Sequence, residues 1–162
     1  WLYRIDSDLS FSRCDGPYIC PNGPAISVDD KTLYHVDTFK STVWAFDKNS
    51  RGELSNRREF VRLDQEKEGF PDGLTVDIDN RVWLAHWGGA RVTCFSPDGK
   101  RVGHIALPVP QVTSCAFGGP DLSTLYITTA ARNLDINEYP LAGSLFRVQT
   151  KTKGAASPSF DG

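Results

Sequence analysis

One motif recurs three times along this chain, and the recurrence limits the fold more than composition does. Residues 21–47 read "PNGPAISVDDKTLYHVDTFKSTVWAFD", and residues 71–96 read "PDGLTVDIDNRVWLAHWGGARVTCFS". Residues 113–130 read "TSCAFGGPDLSTLYITTA", joined after an insertion by "GSLFRVQ" at 143–149. Each segment opens on a small polar residue: Asn22, Asp72 or Ser114. A strand follows, then a polar turn, then a second strand carrying Leu33-Tyr34, Val82-Trp83 or Leu125-Tyr126. Third strands are expected at 43–46, 92–95 and 145–148, and fourth strands at 58–63 and 101–107. The openers are 50 and 42 residues apart (72 − 22 and 114 − 72). Four-stranded propeller blades repeat every ~40 to 50 residues. The expected fold class is therefore all-β, a β-propeller of four-stranded blades. A β-sandwich of short strands explains the strand content. It does not explain why strand order and turn chemistry repeat together.

The ends extend the same reading. "WLYRID", residues 1–6, resembles the third strand "GSLFRVQ" rather than a first strand. The chain is expected to begin inside a blade and to hold about three and a half blades, where closed propellers have roughly 4 to 8. Residues 1–162 are then the C-terminal blades of a single propeller domain whose N-terminal blades are absent from the sequence. A chain of 162 residues, 40% hydrophobic, is long enough for a real core. Its net charge of −2 gives no basic surplus for nucleic acid. No apolar run approaches the ~20 residues that span a bilayer. Neither a nucleic acid nor a membrane is expected as a partner. Cys14, Cys20, Cys94 and Cys115 show no zinc spacing. Cys94 and Cys115 read as small core residues. Cys14 and Cys20 flank a loop, either as free thiols or as a disulfide. Free thiols suit a reducing compartment, so a cytoplasmic location is expected.

Equivalent positions of successive blades sit at equivalent radii. Asn22, Asp72 and Ser114 should converge at one mouth of the channel. A carboxylate and an amide carbonyl there are hard oxygen donors, suited to Ca²⁺, Mg²⁺ or Mn²⁺. Each residue alone is equally an ordinary turn residue. Asp98, in the second Pro-Asp-Gly, lies between outer strands and reads as a hairpin turn. Trp87 either stacks on a sugar ring at the mouth or packs within its blade. His35 and His86 fall on second strands, His35 with a structural role, and His104 on an exposed outer strand. "LDQEKEG", residues 63–69, reads as a solvated loop. "ARNLDINEYPLAG", residues 131–143, is an insertion that either shapes specificity or is plain surface. No Ser-His-Asp set or Gly-x-Ser-x-Gly elbow supports a covalent serine mechanism.

The ordered set "PNGPAIS", "TLYHVDTFKSTVWAFD", "LSNRREF", "PDGLTVDIDNRVWLAHWGGARV", "SPDGKRVGHIALPVPQVTSCAFGG", "LYITTA" and "AGSLFRV" resembles the senescence-marker-protein, gluconolactonase and luciferin-regenerating-enzyme family, which includes regucalcin. The resemblance covers nearly all of residues 1–162. It implies a six-bladed propeller with one divalent metal ion in the channel, calcium first, with Zn²⁺, Mg²⁺ or Mn²⁺ as alternatives. It implies hydrolysis of sugar lactones or related esters, so a small-molecule lactone is the expected partner. By position, Asn22 matches a metal ligand of the family. Asp72 matches a second metal ligand that also serves as general base. The family's glutamate ligand and its substrate-contacting arginine and asparagine come from blades before residue 1. This chain alone is thus expected to be inactive, and to need its missing half or self-association. The alternative is a non-catalytic calcium-binding propeller with a regulatory role.

Overall fold

A computed structural model describes residues 1–156, and it is built of antiparallel hairpins. β1 (Leu2–Ile5) and β2 (Phe11–Asp15) pair as a two-stranded ribbon. β3 (Pro21–Ile26), β4 (Thr32–Asp37), β5 (Thr42–Lys48) and β6 (Leu54–Arg62) form a four-stranded sheet in chain order. A helical turn, α1 (Gln65–Glu68), leads into a second such sheet. That sheet holds β7 (Phe70–Val76), β8 (Val82–Trp87), β9 (Arg91–Phe95) and β10 (Arg101–Ala106). β11 (Val112–Gly118), β12 (Thr124–Thr129) and β13 (Leu145–Gln149) make a three-stranded sheet. The all-β class and the up-and-down strand order within each sheet match expectation. The stretch 157–162 lies outside the described residues.

The core lies between sheets. Tyr34, Val36 and Val43 of one four-stranded sheet meet Val82, Leu84 and Phe95 of the next. Ala85 and Val92 meet Val112, Leu125 and Ile127 on the other side. A smaller cluster joins Leu2 to Leu33 and Phe46. Strand β8 is therefore covered on both faces, and Val82, Leu84, Ala85 and His86 are all fully buried. This explains its near-continuous apolar reading, where a half-solvated strand would alternate. The outer strands behave oppositely. β6 carries Arg57, Arg58, Glu59 and Arg62 along an exposed edge, which discourages pairing with another chain.

Some details depart from the sequence reading. The fourth strand expected at 58–63 begins earlier, at Leu54. Stretch 63–69 contains a helical turn capped by Asp64, and its Glu68 is buried. The Glu68 carboxylate accepts from Asp64 N–H at 3.1 Å and pairs with Arg101. The backbone carbonyl of Glu68 accepts from His86 Nδ1 at 2.9 Å. A carbonyl can only accept, so this contact places a proton on Nδ1. Burial holds the imidazole neutral, with its pKa pushed down to about 4. His35 is also buried, edge-on to the Tyr18 ring at 4.4 Å. His104 is exposed on β10, and all four cysteines are free. Asp98 caps the β9–β10 hairpin, where Lys100 and the Ser96 hydroxyl hold its carboxyl low.

Each inner strand, β3, β7 and β11, holds one more residue than the partner segment it faces. The register slips between Asn22 and Ala25, between Pro71 and Leu74, and between Val112 and Ser114. Such bulges bend a strand and re-aim its side chains. They also make the correspondence between sheets depend on whether residues are counted along the strand or matched by partner. Ala25, Thr75 and Ala116 face Tyr34, Trp83 and Tyr126. Three residues earlier stand Asn22, Asp72 and Thr113 (25 − 3, 75 − 3, 116 − 3). By cross-strand partner, however, Ser114 faces Thr128 as Asn22 faces Val36, and Thr113 is the bulged residue.

Gly73 has a specific reason to be glycine. A Cβ built on it would lie 2.2 Å from Ser114 Oγ and 2.9 Å from Ser114 Cα. Inner strands β7 and β11 thus approach too closely for a side chain. Gly73→Ala is expected to destabilise the fold by about 1–3 kcal/mol through overpacking. Denaturant midpoints check this, and adding Ser114→Gly should restore part of the loss. If the second change restores nothing, this contact is not the cause.

Candidate functional site

Asn22 and Asp72 come from different sheets, 50 residues apart, and their side chains meet. Asn22 Nδ2 donates to Asp72 Oδ1, while Asn22 Oδ1 accepts from Gly23 N–H at 3.1 Å. The bulges on β3 and β7 turn both side chains toward one cavity. The sequence reading expected their oxygens to lie within roughly 5 Å, close enough to share a cation. Direct hydrogen bonding between the two groups agrees with that closeness.

The cavity has a volume of about 470 Å³. That is within the usual range for small-molecule sites. Phe39, Phe70 and Trp87 supply its aromatic wall. Phe39 and Phe70 stand edge to face at 6.1 Å. Trp87 sits within its sheet and also borders the cavity. It pairs with Phe70 across β7–β8, and its half-buried ring lines the cavity. Neither Thr113 nor Ser114 is among the lining residues. Thr113 instead shares a hydroxyl hydrogen bond of 2.7 Å with Thr128. A larger hollow of about 660 Å³ runs along β3 and β7, with Pro24, Ile26, Leu74 and Val76 in its walls. Among the described residues Asp30 is its only ionisable lining residue, and Asn22 and Asp72 meet in the smaller cavity.

Asp72 is the group most altered by this setting. Burial pushes its carboxyl pKa up to about 6, although the Asn22 amide and Gly73 N–H pull it back toward the ionised form. Its charge is therefore under-compensated by the protein, which is the condition that a bound cation relieves. Asn22 fits the same role after a half-turn of its amide, which exchanges oxygen for nitrogen. A carboxylate and an amide carbonyl are the oxygen donors that a hard divalent ion takes. They are only two donors. Among the described residues no group of three His, Cys, Asp or Glu side chains gathers around a point. The donor set fits one side of a metal site.

Residues that sequence reasoning did not single out complete the walls. Phe39 and Thr38 come from the short turn after β4, Phe70 from the start of β7, and Gln111 from the approach to β11. Arg132 and Asn133 come from the insertion at 131–143, so that loop does reach the cavity. Thr38 Oγ1 and Gln111 Oε1 are buried without a hydrogen-bond partner. Phe70 stood next to the Pro-Asp-Gly motif and was within reach of the repeat argument. Nothing in the sequence marked Gln111 or Arg132.

Residues 1–131 match the family described as "SMP-30/Gluconolactonase/LRE-like region". Regucalcin of Xenopus laevis is 37% identical over 147 residues, covering 87% of this chain and 49% of that protein. The putative sugar lactone lactonase YvrE of Bacillus subtilis is 36% identical over 167 residues, covering 99% of this chain and 56% of that protein. Among solved structures, a calcium-binding protein, regucalcin, from Agrobacterium tumefaciens superposes with a TM-score of 0.90 at 28% identity. That match covers 98% of this chain and 55% of the other. The chain thus spans about half the length of the curated relatives it matches.

Proposed function

Because the chain belongs to the SMP-30/gluconolactonase/LRE-like family, we propose that it supplies one side of the active cavity of a divalent-cation-dependent sugar lactone hydrolase. The sheets are read as blades of a six-bladed propeller that chain outside residues 1–162 completes. The observation that carries the reading is the meeting of Asn22 and Asp72, from successive sheets, in a cavity with an aromatic wall.

Asp72 and Asn22 would hold the cation, which when bound polarises a lactone carbonyl and acidifies water. Asp72 also serves as the base. Its carboxylate takes a proton as water attacks the carbonyl carbon. The ring C–O bond then breaks, and the ring oxygen leaves as an alcohol after taking up a proton. Burial raises the carboxyl's proton affinity in the cation-free chain. With a cation bound that affinity would fall again, and the carboxylate would stay ionised to accept a proton. Trp87, Phe39 and Phe70 offer apolar faces to the sugar ring. Two orphan polar atoms, Thr38 Oγ1 and Gln111 Oε1, are the kind of group that substrate hydroxyls satisfy.

The test uses the full-length protein and gluconolactone, with acid release followed in a pH-stat. Turnover should vanish with a chelator and return on adding back one of Ca²⁺, Zn²⁺, Mg²⁺ or Mn²⁺. Turnover that survives exhaustive chelation removes the cation from the mechanism. Stoichiometric calcium binding without turnover of any lactone favours the non-catalytic, regulatory reading. The description of the Agrobacterium relative as calcium-binding keeps that reading in play.

A further inference from the structure

We infer that Arg132 is a specificity-determining residue that selects a substrate bearing a carboxylate away from its lactone carbonyl. This inference rests on the lactonase reading of the same cavity.

Among the described residues, Arg132 is the only basic side chain lining the cavity shared by Asn22 and Asp72. Among the described residues several other arginines are engaged by acids, while Arg13, Arg91 and Arg147 have no acidic partner. Arg58 pairs with Asp47 at 2.7 Å, Arg57 with Asp15 at 3.1 Å and Arg81 with Asp77 at 3.0 Å. Among the described residues, no carboxylate pairs with Arg132, an exposed residue at the cavity wall. Its backbone, by contrast, is fixed. Gln111 Nε2 donates to Arg132 O at 2.8 Å, and Ala130 N–H donates to Gln111 O at 2.9 Å. Asn133, the next residue, takes a left-handed turn at φ 57°. Gln111 in turn bridges to Trp87 on the neighbouring sheet. The loop is thus tied to the aromatic wall, with a solvent-exposed guanidinium that no acid of the described residues pairs.

The charges of the cavity lead to the ligand. Among the described residues, Asp72 is its only acidic lining residue. If Asp72 serves the reacting end, no protein group is left to balance Arg132. A neutral sugar lactone would leave that charge to solvent. A lactone of a sugar diacid would place its free carboxylate on the guanidinium, where two parallel N–H···O bonds suit its geometry. Gln111 Oε1, buried and lacking a donor, stands on the same wall to accept from an adjacent hydroxyl.

The experiment compares a glucarolactone, which keeps a free carboxylate, with gluconolactone, which carries a hydroxymethyl group in its place. In the full-length protein, Arg132→Ala should lower kcat/KM for the acidic lactone roughly 10- to 100-fold, the range of a charge-assisted hydrogen bond. The neutral lactone should lose far less. Arg132→Lys should recover part of the preference, and added salt should weaken it. Equal losses on both lactones, or no loss on either, overturn the inference. Calorimetric titration with glucarate and gluconate separates this failure from failure of the lactonase reading. If neither lactone is hydrolysed but glucarate binds more tightly, and Arg132→Ala abolishes the difference, the Arg132 assignment stands and the lactonase reading falls. Lactone turnover with equal binding of the two acids sinks Arg132 alone. Binding of neither acid, with no turnover, sinks both.

Discussion

Replacing Asp72 by alanine in the full-length protein is expected to lower lactone turnover by roughly 10³-fold or more. General-base catalysis alone contributes about 10² to 10⁴, and the same change removes the charged half of the cation pair. Stability should move little, or rise. The carboxylate sits where burial disfavours its charge, so the fold gains little from keeping it ionised. This contrast makes the experiment decisive. A residue held for packing would lose stability and activity together, while Asp72 should lose activity with its thermal midpoint intact. Calorimetric titration with calcium supplies the second readout, since affinity should fall with the charge. Unchanged turnover at saturating cation would reject the role assigned to Asp72.

The second large effect is expected from residues 1–162 produced alone. Tyr3, Ile5, Leu9 and Phe11 are 50%, 62%, 67% and 74% exposed and line one apolar concavity on the β1–β2 ribbon. At the opposite end of the described chain, β13 is an edge strand with Leu145 exposed at 64%. Apolar patches of this kind on a protein surface mark places where another surface belongs. Free strand edges invite pairing as well. The isolated segment is expected to self-associate in sedimentation velocity runs. Ile5→Lys with Phe11→Lys should shift it toward monomer. Sedimentation as a monomer across the accessible concentration range would show that these faces are tolerated in water.

The sequence made some of this legible and concealed the rest for physical reasons. Asn22 and Asp72 could be paired because both stand inside a Pro-x-Gly signature, and the repeat carries one onto the other. The third position could not be read so well. "TS" offers two polar residues in succession, and a bulge adds one residue without leaving a mark in composition. Counting along the strand picks Thr113, cross-strand pairing picks Ser114, and neither lines the cavity. Glu68 was misread for another reason. "QEKE" looks like a solvated run, but Arg101 and the edge of the next sheet cover its last acid. That contact joins residues 33 apart (101 − 68), which local pattern does not see. Arg132 was hidden in the same way. A loop whose position depends on one glutamine hydrogen bond looks, in sequence, like any other loop.

The placement of the apolar clusters has a consequence for how the molecule comes apart. No sheet owns a core, because each cluster is shared by two neighbours. Cohesion is then held in seams, as in stacked repeats, where a unit is only as durable as its contacts on either side. The β1–β2 ribbon has one seam and an open face, so its amide protons should exchange early. The seam between the two four-stranded sheets joins the largest cluster, and it belongs to the last part to open. Asn22 hangs from one side of that seam and Asp72 from the other. Their shared cavity is thus anchored where local unfolding is rarest, and the geometry of the pair persists through fluctuations that loosen the ends.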